Sequence, residues 1–279
     1  MPTIPLPPAV IQETVARALA EDVGPGDLSL GAVPADREVT AAIVAREEGV
    51  LCGRPFAEAV FAQLGGARTE WACAEGEALE PGREIARLAG PASILLTGER
   101  TALNLLQTLS GTATATAEMV AAVAGTGVRI LDTRKTLPGL RSPQKYAVRI
   151  GGGHNHRHGL FDGVLLKENH LAWAGGLEPA VAAVREAAPH TARIQVEVED
   201  LGQFRQALAA EVDALLLDNF DPADLRTAVA ERPHGVFLEA SGNIGLGNVR
   251  EIAETGVNGI SSGALTRDLA SIDLSMRFA

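Results

Sequence analysis

The chain has 279 residues, of which 46% are hydrophobic and 21% charged, and its formal net charge is −11. This composition is that of a globular protein with a core large enough for about two domains, and the acidic balance argues against binding to nucleic acid or to an acidic membrane surface. Phe, Trp and Tyr together make up only 4%, so aliphatic side chains must fill that core.

The two cysteines and the first residues indicate where the protein works. Cys52 and Cys73 fit no metal or redox spacing, and we interpret them as free buried thiols of a cytoplasmic protein. The opening segment MPTIPLPPAV has no basic region before an apolar run, so we expect no signal peptide. Since no uncharged apolar stretch reaches the ~20 residues that cross a bilayer, we expect no membrane partner.

Residues 38–97, which follow a predicted helix, predict a modest α+β unit, and residues 98–123 link it to the next unit. AVIQETVARALAED (9–22) has apolar residues at helical spacing, and GPGD (24–27) ends that helix. Residues 98–123 predict a buried helix, or two helices broken at Ser110-Gly111. Between these segments, three short runs separated by Gly and Pro predict strands: VTAAIVA (39–45), REIARLA (83–89) and SILLT (93–97).

Beyond residue 125 the sequence predicts parallel βα units. Short apolar runs alternate with helical segments such as GLEPAVAAVREAA (176–188) and DPADLRTAVAE (221–231). About six such units without a GxGxxG motif favour an incomplete α/β barrel over a dinucleotide-binding sheet. The runs are VRILDT (128–133), GVLLK (163–167), IQVEVE (194–199), ALLLDN (214–219), VFLEASG (236–242) and GISSGAL (259–265).

Nearly every one of these runs ends in polar residues, and the carboxyl ends of the strands form the active sites of such barrels. We therefore predict an enzyme. The first group of polar residues is cationic, and like charges in one pocket are unfavourable unless a ligand supplies negative charge. This indicates a substrate with more than one carboxylate or phosphate. The cations are Arg134, Lys135, His156, Arg157 and Lys167.

Two further groups follow the later strands. Glu197 and Asp218 would hold Mg²⁺, directly or through water, or grip sugar hydroxyls. A general-base role, or burial as partners of the lysines, remains open for them. Ser241-Gly242-Asn243 and Ser261-Ser262-Gly263 resemble loops that bind phosphate through backbone N–H groups at helix starts. The three groups together indicate transfer involving a phosphorylated sugar.

The segment GGGHNHRHG (151–159) allows another hypothesis, because its alternating histidines could be zinc ligands of a barrel metallohydrolase. Such a site needs further His or Asp ligands at later strand ends, whereas His190 and His234 fall between the predicted strands. A non-catalytic sensor of anionic metabolites is the third hypothesis.

Several long motifs resemble those of the quinolinate phosphoribosyltransferases, and the resemblance covers nearly the whole chain. The most specific is KYAVRIGGGHNHRHGLFDGVLLKENH (145–170). The other matching stretches are EDVGPGDLS (21–29), GERTALNLLQTLSG (98–111), LDTRKTLPGLR (131–141), VEVE (196–199), LLLDNF (215–220), LEASGNIG (238–245) and SSGALT (261–266).

This resemblance implies an enzyme of de novo NAD synthesis. The family converts quinolinate and phosphoribosyl pyrophosphate, with Mg²⁺, into nicotinate mononucleotide, pyrophosphate and CO2. It also implies an α/β fold, with an N-terminal α/β sandwich domain over 1–111 and an open, incomplete parallel α/β barrel over 112–266. Residues 267–279 would pack back onto the first domain. The expected assembly is a homodimer, or a larger oligomer of such dimers.

The resemblance also assigns residue roles. Lys135, Lys167, Glu197 and Asp218 would be catalytic, the last two on the ribose and metal side. In VEVE, Glu197 and Glu199 share a face, and the motif favours Glu197. Quinolinate would be bound by Arg134, His156, Arg157 and Arg100, the last from the partner subunit, and phosphate by Ser241, Gly242, Asn243, Ser262 and Gly263. The alternative is the phosphoribosyltransferase-like paralogue associated with molybdenum uptake, which shares the TRKT and GG…HR elements.

Overall fold

The computed structural model of the chain describes residues 6–34 and 37–279. The prediction that there is no signal peptide concerns the opening segment MPTIPLPPAV, and residues 1–5 of this segment lie outside the described residues. The chain divides into two compact units. The antiparallel unit takes the described residues within Met1–Ala117, Leu137–Gly152 and Asp268–Ala279, and the parallel unit takes Glu118–Thr136 and Gly153–Arg267.

The antiparallel unit has a four-stranded sheet, in which the carboxyl-terminal strand is at one edge. The strand order is β12-β1-β5-β3, and β2 and β4 form a separate pair. A 3-10 helix spans Leu28–Ala32. The other elements are α1 (Pro8–Asp22), β1 (Glu38–Ala45), β2 (Gly49–Val50), α2 (Arg54–Gln63), β3 (Arg68–Trp71), β4 (Ala78–Leu79), β5 (Glu84–Pro91), α3 (Ala92–Ala122), α4 (Arg141–Ile150) and β12 (Leu274–Phe278). The end of α3, from Glu118 onward, belongs to the parallel unit.

Side chains on the inner face of β1 and β5 form part of the core of this unit. Ile43, Ala45 and Leu88 are buried in a cluster with Phe56 and Phe61 of α2. Burial of two such aromatic side chains contributes several kcal/mol, because apolar surface leaves water at about 25 cal/mol per Å². The predicted first helix and the strands at VTAAIVA and REIARLA are confirmed.

The prediction of a strand at SILLT (93–97) is wrong, because these residues form the start of α3. A five-residue apolar run has no periodicity that separates a strand from a buried helix. In the structure, Leu95, Ala102 and Leu106 are buried at helical spacing.

Helix α3 also continues through Ser110-Gly111 without a break. Gly111 has no side chain where the backbone oxygen of Ala270 approaches, and a Cβ there would overlap that oxygen. The glycine thus permits a close approach rather than ending the helix.

The parallel unit alternates strands and helices, as the sequence predicts, although GISSGAL is a strand only over its first three residues and then turns into a helix. The elements are β6 (Arg129–Leu131), β7 (Val164–Leu166), α5 (Glu168–Ala174), α6 (Leu177–Ala187), β8 (Ile194–Val198), α7 (Leu201–Ala209), β9 (Ala214–Asp218), α8 (Pro222–Glu231), β10 (Phe237–Ser241), α9 (Val249–Ala253), β11 (Gly259–Ser261) and α10 (Ala264–Arg267).

All six strands of this unit are parallel, in the order β6-β11-β10-β9-β8-β7. The mixed α/β fold and the parallel sheet that the sequence predicts are thus confirmed. Strands β6 and β7 are the two edges of the sheet, so it stays open. Because every strand points the same way, all six carboxyl ends lie along one edge. Among the described residues, no helix is both long and apolar enough to cross a membrane.

Candidate active site

A cavity of about 340 Å³ lies in the parallel unit and collects most of the predicted site residues. This volume is within the range of small-molecule sites. The lining residues are Thr133, Arg134, Lys135, His156, Arg157, Leu165, Lys167, Glu197, Leu216, Asp218, Glu239, Ser241 and Ser261.

Strand alternation explains why these residues meet. In β8, Val196 and Val198 belong to the apolar core of the unit, whereas Glu197 between them lines the cavity. The same parity puts Leu216 and Asp218 of β9 on the cavity side. Successive side chains of a strand point to opposite faces, so one face builds the core and the other builds the site.

Two guanidinium groups lie together in this cavity. The pKa of Arg157 is lowered by burial and by the positive charge of Arg134, and Asp162 opposes that shift. Arg157 also donates from Nη1 to the Gly163 carbonyl over 3.1 Å. Two positive groups held together inside a partly buried pocket favour an anionic ligand.

The two lysines that line the cavity, Lys167 and Lys135, have different neighbours. Lys167 forms an ion pair with Glu197, with the Lys167 side chain 47% exposed and that of Glu197 17% exposed. Because the pair is open to solvent, an arriving anion can compete for the ammonium group. Lys135 packs its aliphatic chain beside Gly263, where a Cβ would lie 2.9 Å from Lys135 Cδ. The glycine therefore leaves room for that lysine.

Asp218 is held by its neighbour. Asn219 Nδ2 donates to Asp218 Oδ2 over 2.9 Å, and Asn219 has a positive φ of 57°. Gly242, at φ 100°, would overlap the Asn219 side chain if it carried a Cβ. The end of β9 and the loop after β10 are thus packed against each other.

A buried polar layer borders the cavity. His156 Nε2 lies 3.0 Å from Gln195 Oε1 and 3.3 Å from Glu239 Oε2, and Gln195 Nε2 donates to Glu239 Oε2 over 2.9 Å. Burial by itself raises the pKa of Glu239, but the hydrogen bond from His156, the positive charge of that ring when it is protonated, and hydrogen bonds from Ser261 and Gln195 hold that pKa below its usual range.

Asp132 anchors the segment that carries His156. Its side chain is fully buried, and it accepts hydrogen bonds from the His156 backbone N–H over 2.8 Å and from Asn155 Nδ2 over 2.6 Å. The carboxylate at the end of β6 therefore orders the histidine segment.

Of the residues predicted to bind phosphate, only Ser241 lines the cavity. Asn243 is exposed at a positive φ of 51°. Ser262 instead donates its hydroxyl to the Ile244 carbonyl over 2.8 Å. Gly263 directly precedes α10, whereas a loop separates Asn243 from α9, so only the second loop leads straight into a helix.

Arg100, Glu199 and Gln195 do not line this cavity. Arg100 is exposed on α3, in the antiparallel unit. Glu199 lines a second cavity, which Glu197 also borders, and it does not line the first one. Gln195 is not among the residues predicted from the sequence, although its spacing of two from Glu197 on one strand places both side chains on the same face.

The carboxylates of this cavity suit a hard divalent cation. Glu197 and Asp218 place carboxylate oxygens in the cavity from neighbouring strands. Two carboxylates complemented by water and substrate phosphates form a typical Mg²⁺ environment. Within residues 6–34 and 37–279, no group of three or more His, Cys, Asp or Glu side chains is placed to hold a metal. The ring of His156, one of the histidines considered as zinc ligands, contacts Gln195 and Glu239.

An open parallel α/β sheet that gathers cations and carboxylates at its carboxyl edge defines an enzyme for small, multiply anionic substrates. Residues 26–110 match the family model for the N-terminal domain of quinolinate phosphoribosyl transferase, and residues 112–277 match that for its C-terminal domain. The chain belongs to the quinolinate phosphoribosyl transferase family.

Relatives and solved structures agree with this membership. A probable nicotinate-nucleotide pyrophosphorylase (carboxylating) of Bacillus subtilis is 43% identical over 257 residues, which are 92% of this chain and 89% of the relative. The human nicotinate-nucleotide pyrophosphorylase (carboxylating) is 39% identical, covering 98% and 93%. The structure of the Francisella tularensis nicotinate-nucleotide pyrophosphorylase is 41% identical, with a TM-score of 0.94 over 99% of this chain and 98% of that one. These matches do not favour the molybdenum-uptake-associated paralogue.

Proposed function

We propose that this protein is a quinolinate phosphoribosyltransferase. It transfers the phosphoribosyl group of phosphoribosyl pyrophosphate to the ring nitrogen of quinolinate, with loss of CO2, and releases nicotinate mononucleotide and pyrophosphate. The observation that carries the proposal is one cavity lined by cations from the segments after β6 and around β7 and by carboxylates of β8 and β9, in a chain of this family.

The cations account for binding of a dicarboxylate. Arg134 and Arg157 interact electrostatically in the cavity, and guanidinium groups bind carboxylates through two parallel hydrogen bonds. Lys135 and Lys167 line the same cavity and add positive charge to it. With both carboxylates held, the ring nitrogen is aimed at the anomeric carbon, and this positioning supplies a large part of the rate enhancement.

The carboxylates account for the sugar side of the reaction. As the bond from the anomeric carbon to pyrophosphate breaks, positive charge develops on the ribose, and Glu197 and Asp218 stabilise it. The same two residues would hold Mg²⁺, directly or through water, and this ion neutralises the pyrophosphate when bound. Lys135 and Lys167 then stabilise the departing oxygens.

Decarboxylation follows from the product of the transfer. Once the N-glycosidic bond forms, the ring nitrogen is cationic. When the adjacent carbon–carboxylate bond breaks, the bonding electrons remain on the ring next to that cation, CO2 departs, and a solvent proton takes its place. The step requires no protein nucleophile. Ser241, Gly242 and Gly263, with Asn243 and Ser262, would bind the 5-phosphate through their loops.

We also propose a homodimer in which Arg100 completes the quinolinate pocket of the partner subunit, in a reducing compartment such as the cytoplasm. Free Cys52 and Cys73 support the compartment. The dimer is testable by mixing two inactive variants, Arg100→Ala and Asp218→Asn. If each site combines both chains, random reassociation restores about a quarter of wild-type activity, whereas no recovery would contradict a shared site.

The experiment that tests the reaction is turnover by the purified protein. With quinolinate, phosphoribosyl pyrophosphate and Mg²⁺, we expect nicotinate mononucleotide by chromatography and one CO2 per nucleotide. Glu197→Gln should lower this turnover, and Glu199→Gln is its matched control, because Glu197 lines the cavity with the cations and Glu199 does not. Absence of turnover, or turnover of nicotinate in place of quinolinate, would overturn the proposal.

A further inference from the structure

We propose that Gln195 and Glu239 are positioning residues, which fix the His156 ring in one tautomer and thereby hold Arg157 in place for the substrate. The inference rests on the proposed function for its kinetic consequence, because Arg157 is assigned there to quinolinate. The predicted tautomer of the His156 ring does not depend on which substrate the protein binds.

The hydrogen bonds around His156 specify where its proton lies. The Arg157 backbone N–H donates to His156 Nδ1 over 2.7 Å, so Nδ1 presents a lone pair. Nε2 faces two oxygens, Gln195 Oε1 at 3.0 Å and Glu239 Oε2 at 3.3 Å. Since both oxygens are acceptors, Nε2 carries the proton. The ring is therefore a neutral imidazole with its hydrogen on Nε2.

Glu239 determines which way the Gln195 amide points. Gln195 Nε2 donates to Glu239 Oε2 over 2.9 Å. The reversed amide would put a carbonyl oxygen against this carboxylate and an NH2 group against His156 Nε2–H. A carboxylate that is only 2% exposed enforces this choice, because electrostatic mismatches cost more in a low-dielectric interior. Glu239 thus acts on the ring both directly and through Gln195.

The ring in turn acts on Arg157. With Nδ1 as acceptor, the backbone N–H of Arg157 is bound, and the guanidinium is anchored at the Gly163 carbonyl. If the proton moved to Nδ1, two donors would face each other at this point. The backbone of Arg157 would have to shift, and its guanidinium with it. A misplacement of about 1 Å can cost a large factor in rate or binding.

A merely structural role predicts a different outcome. Removing one charge from a buried polar network can by itself destabilise the fold. However, an amide at Glu239 keeps the shape and one acceptor oxygen, so a positioning role predicts a changed ring state and a changed KM in addition to any loss of stability. The relevant readouts are therefore the ring tautomer and the KM for quinolinate, and not the melting temperature alone.

The test compares three variants of the full-length protein. Glu239→Gln keeps the shape and removes the charge, and Gln195→Met removes the amide while leaving Glu239. Asp213→Asn is the matched control, because the Asp213 carboxylate accepts from the Ile194 N–H at the start of β8, outside the His156 contacts. Nitrogen-15 NMR of labelled protein without substrate reports the His156 tautomer, and steady-state kinetics reports KM and kcat.

We expect the Nε2–H tautomer in the wild type and in Asp213→Asn, and a mixture of tautomers in Glu239→Gln. The KM for quinolinate should rise about ten-fold in Glu239→Gln and less in Gln195→Met, as for a weakened hydrogen bond near a charged group. The KM for phosphoribosyl pyrophosphate should stay within about two-fold. If Glu239→Gln does not fold, the same two readouts on Gln195→Met decide.

Two results would overturn the inference. One is an unchanged tautomer in the variants, and the other is a lower melting temperature with both KM values and kcat at wild-type levels. If the wild type does not turn over quinolinate, the proposed function fails, but the tautomer in the substrate-free protein still tests the network. The two failures are therefore distinguishable.

Discussion

The antiparallel and parallel units have similar amounts of helix and strand but use their polar side chains differently. In the antiparallel unit, Glu75 accepts hydrogen bonds from the Gly53 and Arg54 backbone N–H groups and from the Tyr146 hydroxyl. This carboxylate binds the start of α2 to α4. In the parallel unit, Glu197 and Asp218 face a cavity instead.

Strand direction explains the difference. Neighbouring antiparallel strands end at opposite edges of a sheet, so polar residues at strand ends are dispersed and find partners within the fold. In the parallel sheet every carboxyl end lies on one edge, so the same residue types accumulate there. Substitutions of the residues that line the cavity of the parallel unit should therefore affect activity, and substitutions in the core of the antiparallel unit should affect stability.

The largest effect is expected at the cavity carboxylates. Asp218→Asn removes a negative charge where positive charge develops in the reaction, and we expect kcat/KM to fall by about 10²–10³. The melting temperature should change by no more than a few degrees. Enzyme kinetics and calorimetry on the same preparation check this. A large loss of stability together with the loss of activity would contradict the expectation that the cavity residues of the parallel unit serve activity and not stability.

In the antiparallel core, Phe56→Ala should act in the opposite way. Phe56 is fully buried, and truncating such a side chain costs about 3–5 kcal/mol of unfolding free energy. Urea denaturation measures this loss. At low temperature, kcat per folded molecule should equal that of the wild type, and a changed kcat would mean that the core influences the site.

Gly242→Ala tests the loop after β10. A Cβ at this position would overlap Asn219, and φ is 100°, so we expect a strain of about 1–3 kcal/mol and a raised KM for phosphoribosyl pyrophosphate. Gly245→Ala is the control, since a Cβ there meets no atom within 4 Å. Equal effects of the two alanines would contradict the packing of Asn219 under this loop.

The smallest effect is expected for Tyr146→Phe, which removes the hydroxyl bound to Glu75 and should cost about 1 kcal/mol at neutral pH. Burial and the negative charge of Glu75 raise the pKa of Tyr146. Because the folded state binds this proton more tightly, its stabilising effect is present below pH ~10, the unfolded pKa, and decreases as pH rises above it. Denaturation at pH 8 and 10.5 should show the wild type losing more stability than the variant.

Much of the fold was predictable from local patterns. The six strand runs of the parallel unit and the helices α1, α6 and α8 follow directly from apolar spacing and Gly/Pro turns. SILLT was not predictable, because five apolar residues fit a strand and a buried helix equally well. Gly111 was also misleading, since its small size serves the approach of Ala270 rather than a helix end.

The sequence by itself determined which residue types end each parallel strand, and the long motifs determined the family, since both are properties of neighbouring residues. Only the tertiary structure decided how those residues are paired. That Lys167 meets Glu197, and that His156 meets Gln195 and Glu239, depends on strand order and register in the sheet. These contacts join residues 30–83 positions apart, and no local pattern encodes a distance of that kind.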